Sequence, residues 1–173
     1  MKRTDIKELP EYFERYINLV DDIELSKAFD QSLKQIDDLD IEKLNRIGLK
    51  VYEAEKWTIN SVIAHLTDWE RILAYRALVY ARKAGIIPHG MDEQILANNS
   101  NADSRKIEEI LGELRIVRLS TKTLFDSFNN EILETKGAIW KYEMSVLAMC
   151  FNIIGHQVHH FGIIEERYFP LDK

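Results

Sequence analysis

Hydrophobic residues recur along most of this chain at three- and four-residue intervals, the spacing of one face of an α-helix. Leu25, Phe29, Leu33 and Ile36 keep that interval, and Tyr12, Phe13, Tyr16, Ile17, Leu19 and Val20 form a shorter patch after Pro10. Two amphipathic helices are therefore expected before residue 37. From Asp37 to Lys56 the period is lost, which predicts a connection with a turn of helix. It returns at KWT. Thr58 is a good N-cap, and Trp57 and Val62 stand where side chains clasp a helix entrance, so a long helix should run from Thr58 to Ala84, stopped by Gly85 and Pro88.

Ile86 to Asp103 carries Gly, Pro and an NNSNAD run, which is loop chemistry with room for a short helix at Glu93 to Ala97. Ser104 is the expected cap of a third long pattern through Ile107, Ile110, Leu111, Leu114, Val117, Thr121, Phe125, Phe128 and Ile132, fading near Glu134. After a turn at Lys136 and Gly137, a last helical pattern should run from Tyr142 to Tyr168, with Pro170 beyond it. Seven glycines and three prolines are too few to punctuate many short strands. The expectation is an all-α protein, a four-helix bundle with a short additional N-terminal helix, in one domain over residues 1–173.

Charge narrows the partners. The 29 acidic and 23 basic residues are scattered, with no Lys/Arg cluster to track phosphates, so nucleic acid is not expected as a partner. The single cysteine, Cys150, excludes an intrachain disulfide and fits a reducing compartment. MKRTDIKELPEYF lacks the apolar stretch of a signal peptide, and no run of about eighteen apolar residues could cross a bilayer. A cytoplasmic protein without a membrane partner is expected. Surplus apolar surface on the two N-terminal helices would suit a homodimer.

Three of the five histidines lie within GHQVHHFGIIEERYF. Helical residues turn by about 100°, so His156 and His160 project within about 40° of each other, one turn apart, on the stripe that holds Met149, Ile153 and Ile163. His159 lies about 60° to the flank of His156. On the long helix after Thr58, His65 shares a side with Trp69 and Ile72, so a third imidazole faces the pair. One inward histidine is ordinarily a hydrogen-bonded core residue; an i,i+4 pair on an apolar stripe is better satisfied by a shared metal, which takes both acceptor nitrogens at once. Three neutral nitrogens leave a coordination position open, as at catalytic zinc, and imidazole also suits nickel, iron, manganese or cobalt.

HQVHH has the outline of the zinc-protease pattern HExxH, but Gln157 stands where that motif has its base, and Gln cannot take a proton. Carboxylate-bridged di-iron bundles need a Glu three residues before a His, and none of the five histidines has one. Asp68, one turn from His65, is a candidate to orient a ligand, whereas Glu70 points elsewhere on the wheel and reads as a solvated charge. Trp69 could wall a pocket. Arg118 falls on the apolar face beside Leu114, Thr121 and Phe125, where it needs an acidic partner or an anionic substrate. Arg76, about 16 Å along the helix from His65, is too far to reach a metal. Cys150 reads as packing, and His89 as a solvent-facing loop residue.

At these residues the chain resembles the DinB/YfiT-like family of metal-binding four-helix bundles. The likeness spans nearly the whole chain and shows in LPEYFERYINLV, in KWTINSVIAHLTDWERILAYRALVYAR, in IPHGMDEQ followed by SN, and in IIGHQVHHFGIIEERYF. It implies a metal triad of His65, His156 and His160. The residue after the first histidine of the last helix is often Glu in that family, where Gln157 stands here; the resemblance makes Gln157 a candidate beside the metal or on the pocket wall, without the acid–base chemistry of a Glu. Members with known activity include transferases that use low-molecular-weight thiols such as bacillithiol or mycothiol, and a maleylpyruvate isomerase; many others are described as metal-dependent hydrolases. The resemblance therefore implies a divalent-metal enzyme acting on a small molecule. Transfer of a low-molecular-weight thiol to an electrophile comes first, hydrolysis second, and a non-catalytic metal-binding or dimerising bundle third.

Overall fold

The computed structural model describes residues 1–85 and 90–172. In chain order its helices are α1 (Glu14–Ile17), α2 (Leu25–Asp37), α3 (Ile41–Ile47), α4 (Ile59–Ala81), α5 (Glu93–Asn98), α6 (Ile107–Asp126), α7 (Asn130–Leu133) and α8 (Val146–Ile163), with a hairpin of β1 (Lys136–Ile139) and β2 (Tyr142–Ser145) before α8. The bundle consists of α2, α4, α6 and α8. Both α2 and α4 pack against α6 and α8, so the four close as a ring with α2 and α4 diagonally opposed.

Caps explain the boundaries. The Thr58 hydroxyl accepts from the Ser61 amide at the start of α4, and Ser145 accepts from Ala148 at the start of α8. Helix α4 stops at Ala81, three residues before the expected end, because the chain turns through positive φ at Lys83 and Gly85. Ser104 does not cap α6; it lies in a 3-10 turn and its hydroxyl donates to the Asn101 carbonyl. Helix α6 ends at Asp126, not near Glu134, since Asn129 starts α7 by accepting from the Ile132 amide. Pro88 and His89 lie outside the described residues.

The hairpin was not expected from the pattern, which reads Lys136–Gly137 as a turn and Tyr142 as helical. Its turn is at Trp140 and Lys141, with Trp140 at φ 53°. Gly137 has a different purpose: a Cβ there would overlap the Tyr80 ring, and the Tyr80 hydroxyl donates to the Ala138 carbonyl, so the hairpin lies directly on α4. Gly155 plays the same part on α8, where a Cβ would overlap the Tyr16 carbonyl and push α1 away.

Buried apolar residues form two clusters. One gathers α1, the start of α2, the C-terminal half of α4, the hairpin and the start of α8; the other gathers α3, the N-terminal halves of α4 and α6, and Tyr168. Most of the buried polar residues of the bundle helices fall near the junction of these clusters (Ser32 on α2, His65, Thr67 and Glu70 on α4, Arg118 and Thr121 on α6, Asn152, His156 and Gln157 on α8), while α4 also buries Asn60 at its start and Arg76 towards its end. Exposed apolar residues gather on α4 and α6 (Tyr75, Leu78, Ile116, Leu119) as well as near α1 (Leu9, Tyr12, Leu19). Among the described residues no helix is long and apolar enough to cross a membrane.

Candidate metal centre

Helix α4 presents His65, and α8, running antiparallel to it, presents His156 and His160 one turn apart. The His156 Nε2 lies 3.3 Å from that of His65 and 3.1 Å from that of His160. Two nitrogens bound about 2.1 Å from one ion at about 90–110° stand about 3.0–3.4 Å apart, so these separations match edges of a coordination shell. Hydrogen bonding alone does not account for them. An imidazole nitrogen has a single in-plane position, a proton or a lone pair, and cannot serve two neighbouring rings well. The three residues are a group able to hold a metal ion, with candidate ligand atoms all within 4.8 Å of one another.

The electrostatics suit a cation. Burial lowers the pKa of His65 to about 4 and that of His160 to about 3. His156 is pushed well down, first by burial and then by the neighbouring rings of His160, His65 and His159 and by Arg118, beside which a further proton is disfavoured. All three imidazoles are thus neutral at pH 7, with lone pairs to offer. Trp57 and Trp69 flank His65, with ring centroids 4.8 and 6.2 Å away, and Tyr16 meets His156 edge-on at 5.2 Å.

A cavity of about 720 Å³ opens from His156 along the antiparallel pair α4 and α8, walled by Tyr12 and Tyr16 near α1, Trp69 and Arg76 on α4, Trp140 on the hairpin, and Asn152 one turn before His156. Of its charged lining residues, Arg76 is buried and Glu93 is exposed. The Asn152 Oδ1 is buried without a hydrogen-bond partner.

The model of a family described as the DinB superfamily matches residues 24–164. The chain belongs to the DinB superfamily. Its fold is similar to that of YfiT from Bacillus subtilis, described as a probable metal-dependent hydrolase with an unusual four-helix bundle topology, at TM-score 0.66 and 16% identity over 90% of this chain and 85% of that one. Among curated proteins none matches. The DinB match begins after α1, so Tyr16 lies outside it.

Within this DinB-superfamily fold the residues singled out from sequence separate. His65, His156 and His160 converge, and His159 lies outside the group, edge-on to Tyr16. Trp69 stands beside His65 and lines the cavity. Asp68 is not at the ligands: its carboxylate faces Arg71 at 3.4 Å, in a surface network with Glu113 and Arg105. Gln157 is also elsewhere, since α8 turns it towards α2, where its Nε2 donates to the Ser32 carbonyl and to Gln35 Oε1. Arg118 has an acidic partner, and it is Glu70, the residue expected in solvent: both are buried, with Nε 2.9 and 3.0 Å from the two carboxylate oxygens and Nη2 2.8 Å from Oε2. Cys150 is packed in the core, as expected. Sequence reasoning missed Trp57, Tyr16 and Asn152. Asn152 was within reach, being four residues before His156 on the same stripe, whereas the close seat of Tyr16 follows from Gly155 and shows only in three dimensions.

Proposed function

We propose that His65, His156 and His160 hold one divalent transition metal and that the protein is a metal-dependent enzyme transferring a low-molecular-weight thiol to a small electrophile in the adjoining cavity. The reading is carried by the convergence of three neutral Nε2 atoms at one end of a cavity with room for two reactants. Zinc, nickel, iron, manganese and cobalt all suit such a donor set. When bound, the ion would supply a Lewis acid that makes a thiol or a water acidic enough to react near neutral pH. Trp57 and Trp69 keep bulk water from the His65 side, and the aromatic walls hold an apolar reactant against the His156 face.

The chain's acidic residues favour thiol over water. Glu70 is bound by Arg118, Asp68 faces Arg71, and the position beside His156 is an amide turned to α2. Among the described residues no carboxylate joins the three histidines, so water attack would have to draw on the exposed Glu93 of the cavity lining as its base, whereas a thiol needs none once its proton is acidic. Hydrolysis is the second reading, supported by the likeness to YfiT with its description as a probable metal-dependent hydrolase. Protein purified without an affinity tag should carry about one metal per chain. With monochlorobimane as electrophile and a panel of low-molecular-weight thiols, consumption should require both thiol and metal. Consumption without thiol would establish hydrolysis, and protein unable to retain a metal would overturn both readings. A homodimer belongs to the same proposal, using the apolar surface left on α4 and α6; a monomeric mass in sedimentation would remove it.

A further inference from the structure

We infer that Tyr168 is a positioning residue for the metal centre: its hydroxyl holds the Trp57 carbonyl, and Trp57 in turn holds the His65 ring in its ligating orientation. The inference rests on the functional reading above for the metal. A metal-ligating imidazole is ordinarily fixed by a hydrogen bond from its second nitrogen to a carboxylate, a carbonyl or water. Among the described residues the one hydrogen-bonding neighbour of the His65 ring is His156, itself a candidate ligand. Rotation of the ring is therefore limited by packing, and two indoles pack on it, Trp57 at 4.8 Å between centroids and Trp69 at 6.2 Å. Trp69 is fixed by its place inside α4. Trp57 is not: it precedes the helix cap, is half-buried, and follows the exposed stretch 53–56, in which Glu55 has φ 64°. Among the described residues no backbone N–H donates to the Trp57 carbonyl, and its partner is the Tyr168 hydroxyl.

The far end of α8 is shaped to bring that hydroxyl there. An unbroken α-helix would place residue 168 about 80° round the axis from His160, since each step turns by about 100°. Instead α8 passes at Ile164–Tyr168 into a π turn, which takes up one residue more than an α turn. Tyr168 then has the phase of the seventh residue after His160, about 20° from it, and its buried ring packs edge-on against Tyr52 at 5.0 Å. Trp57 stands eight residues before His65, and Tyr168 eight residues after His160. Because α4 and α8 are antiparallel, the tie closes the same two helices about two turns from the ligands. A tyrosine that only satisfied a buried carbonyl would stabilise the fold without acting on the metal. Tyr80, whose hydroxyl donates to the Ala138 carbonyl in the other apolar cluster, is that case in the same molecule.

The test reads metal affinity, by competition for zinc between the full chain and a chromophoric chelator. Tyr168→Phe should still hold one zinc per chain but bind it about tenfold more weakly, and Tyr80→Phe should bind as the wild type does. Trp57→Leu should weaken binding by at least as much as Tyr168→Phe. The double variant should bind no more weakly than Trp57→Leu alone, because Tyr168 acts through Trp57. Additive losses, an equal loss in Tyr80→Phe, or an unchanged affinity in Tyr168→Phe would overturn the inference. Should Tyr168→Phe lose its helical signal, Trp57→Leu decides: weakened binding supports the inference, and wild-type affinity overturns it. The functional reading can fail separately. A chain whose zinc affinity depends on Tyr168 but which conjugates no thiol keeps this inference and loses that one; thiol conjugation with a zinc affinity indifferent to Tyr168 gives the reverse.

Discussion

Two polar groups are buried at the same level of the bundle, and they are finished to different degrees. Glu70 and Arg118 hold each other through three short hydrogen bonds between α4 and α6. His65, His156 and His160 bring three like nitrogens together between α4 and α8, and His156 Nε2 cannot serve both of its neighbours at once. The ion pair has both its charges within the protein, with Arg118 Nη1 alone left buried without a hydrogen-bond partner. On the function proposed above, the triad is completed by a cation among its lone pairs. A bundle can therefore carry buried polarity for two purposes, and what separates them is whether the protein supplies both partners.

Breaking the closed group should have the larger effect on stability. Glu70→Ala leaves the Arg118 guanidinium uncompensated in the core and should cost about 3–5 kcal/mol, read as a shift in denaturant midpoint. A loss under about 1 kcal/mol would mean that the pair is hydrated and the comparison misplaced. Breaking the open group should act on metal, not on fold. His160→Ala removes half of the chelate on α8, so metal per chain should fall from about one to near zero while the helical signal persists. Unfolding of the wild type by chelator at room temperature would instead make the triad a structural site.

Acid should distinguish the groups further, in chelated protein. The folded pKa values of His65, about 4, and His160, about 3, lie below the ordinary histidine value of 6.5. The unfolded chain therefore binds protons that the folded chain refuses, and stability should be full above pH 6.5 and fall as the pH drops towards 4. Melting temperatures between pH 6.5 and 5, above the range where most carboxylates titrate, check this; a flat profile there would mean that the rings are already charged. Metal-loaded protein should show a smaller slope. The smallest effect belongs to His159→Ala, which should leave metal content unchanged, since His159 lies outside the triad. Equal losses in the two alanine variants would dissolve the distinction between His159 and His160.

Much of this was legible in the chain because a helical period carries position as well as structure. The step of four from His156 to His160 fixes their common face, and the cap at Thr58 fixes the phase of His65. Glu70 was misjudged because its position on one helix says nothing of α6, where Arg118 waits; a pair split between helices is visible only after packing. Gln157 was drawn to the metal by its neighbour in sequence, although consecutive helical residues diverge by about 100° and it serves α2 instead. The hairpin was missed for a related reason. Gly137 is a turn residue by composition, and its contact with Tyr80 depends on a residue far away along the chain.

The seat that Gly155 provides for Tyr16 has a consequence in time. The segment that walls the cavity is made well before the helix it rests on, with most of the bundle between them in the chain. At about 5–20 residues per second, the aromatic stretch from Tyr12 to Tyr16 waits on the order of ten seconds on the ribosome before its partner emerges. During that interval the growing chain shows the solvent, and any chaperone nearby, Phe13 and Ile17, which the finished protein buries.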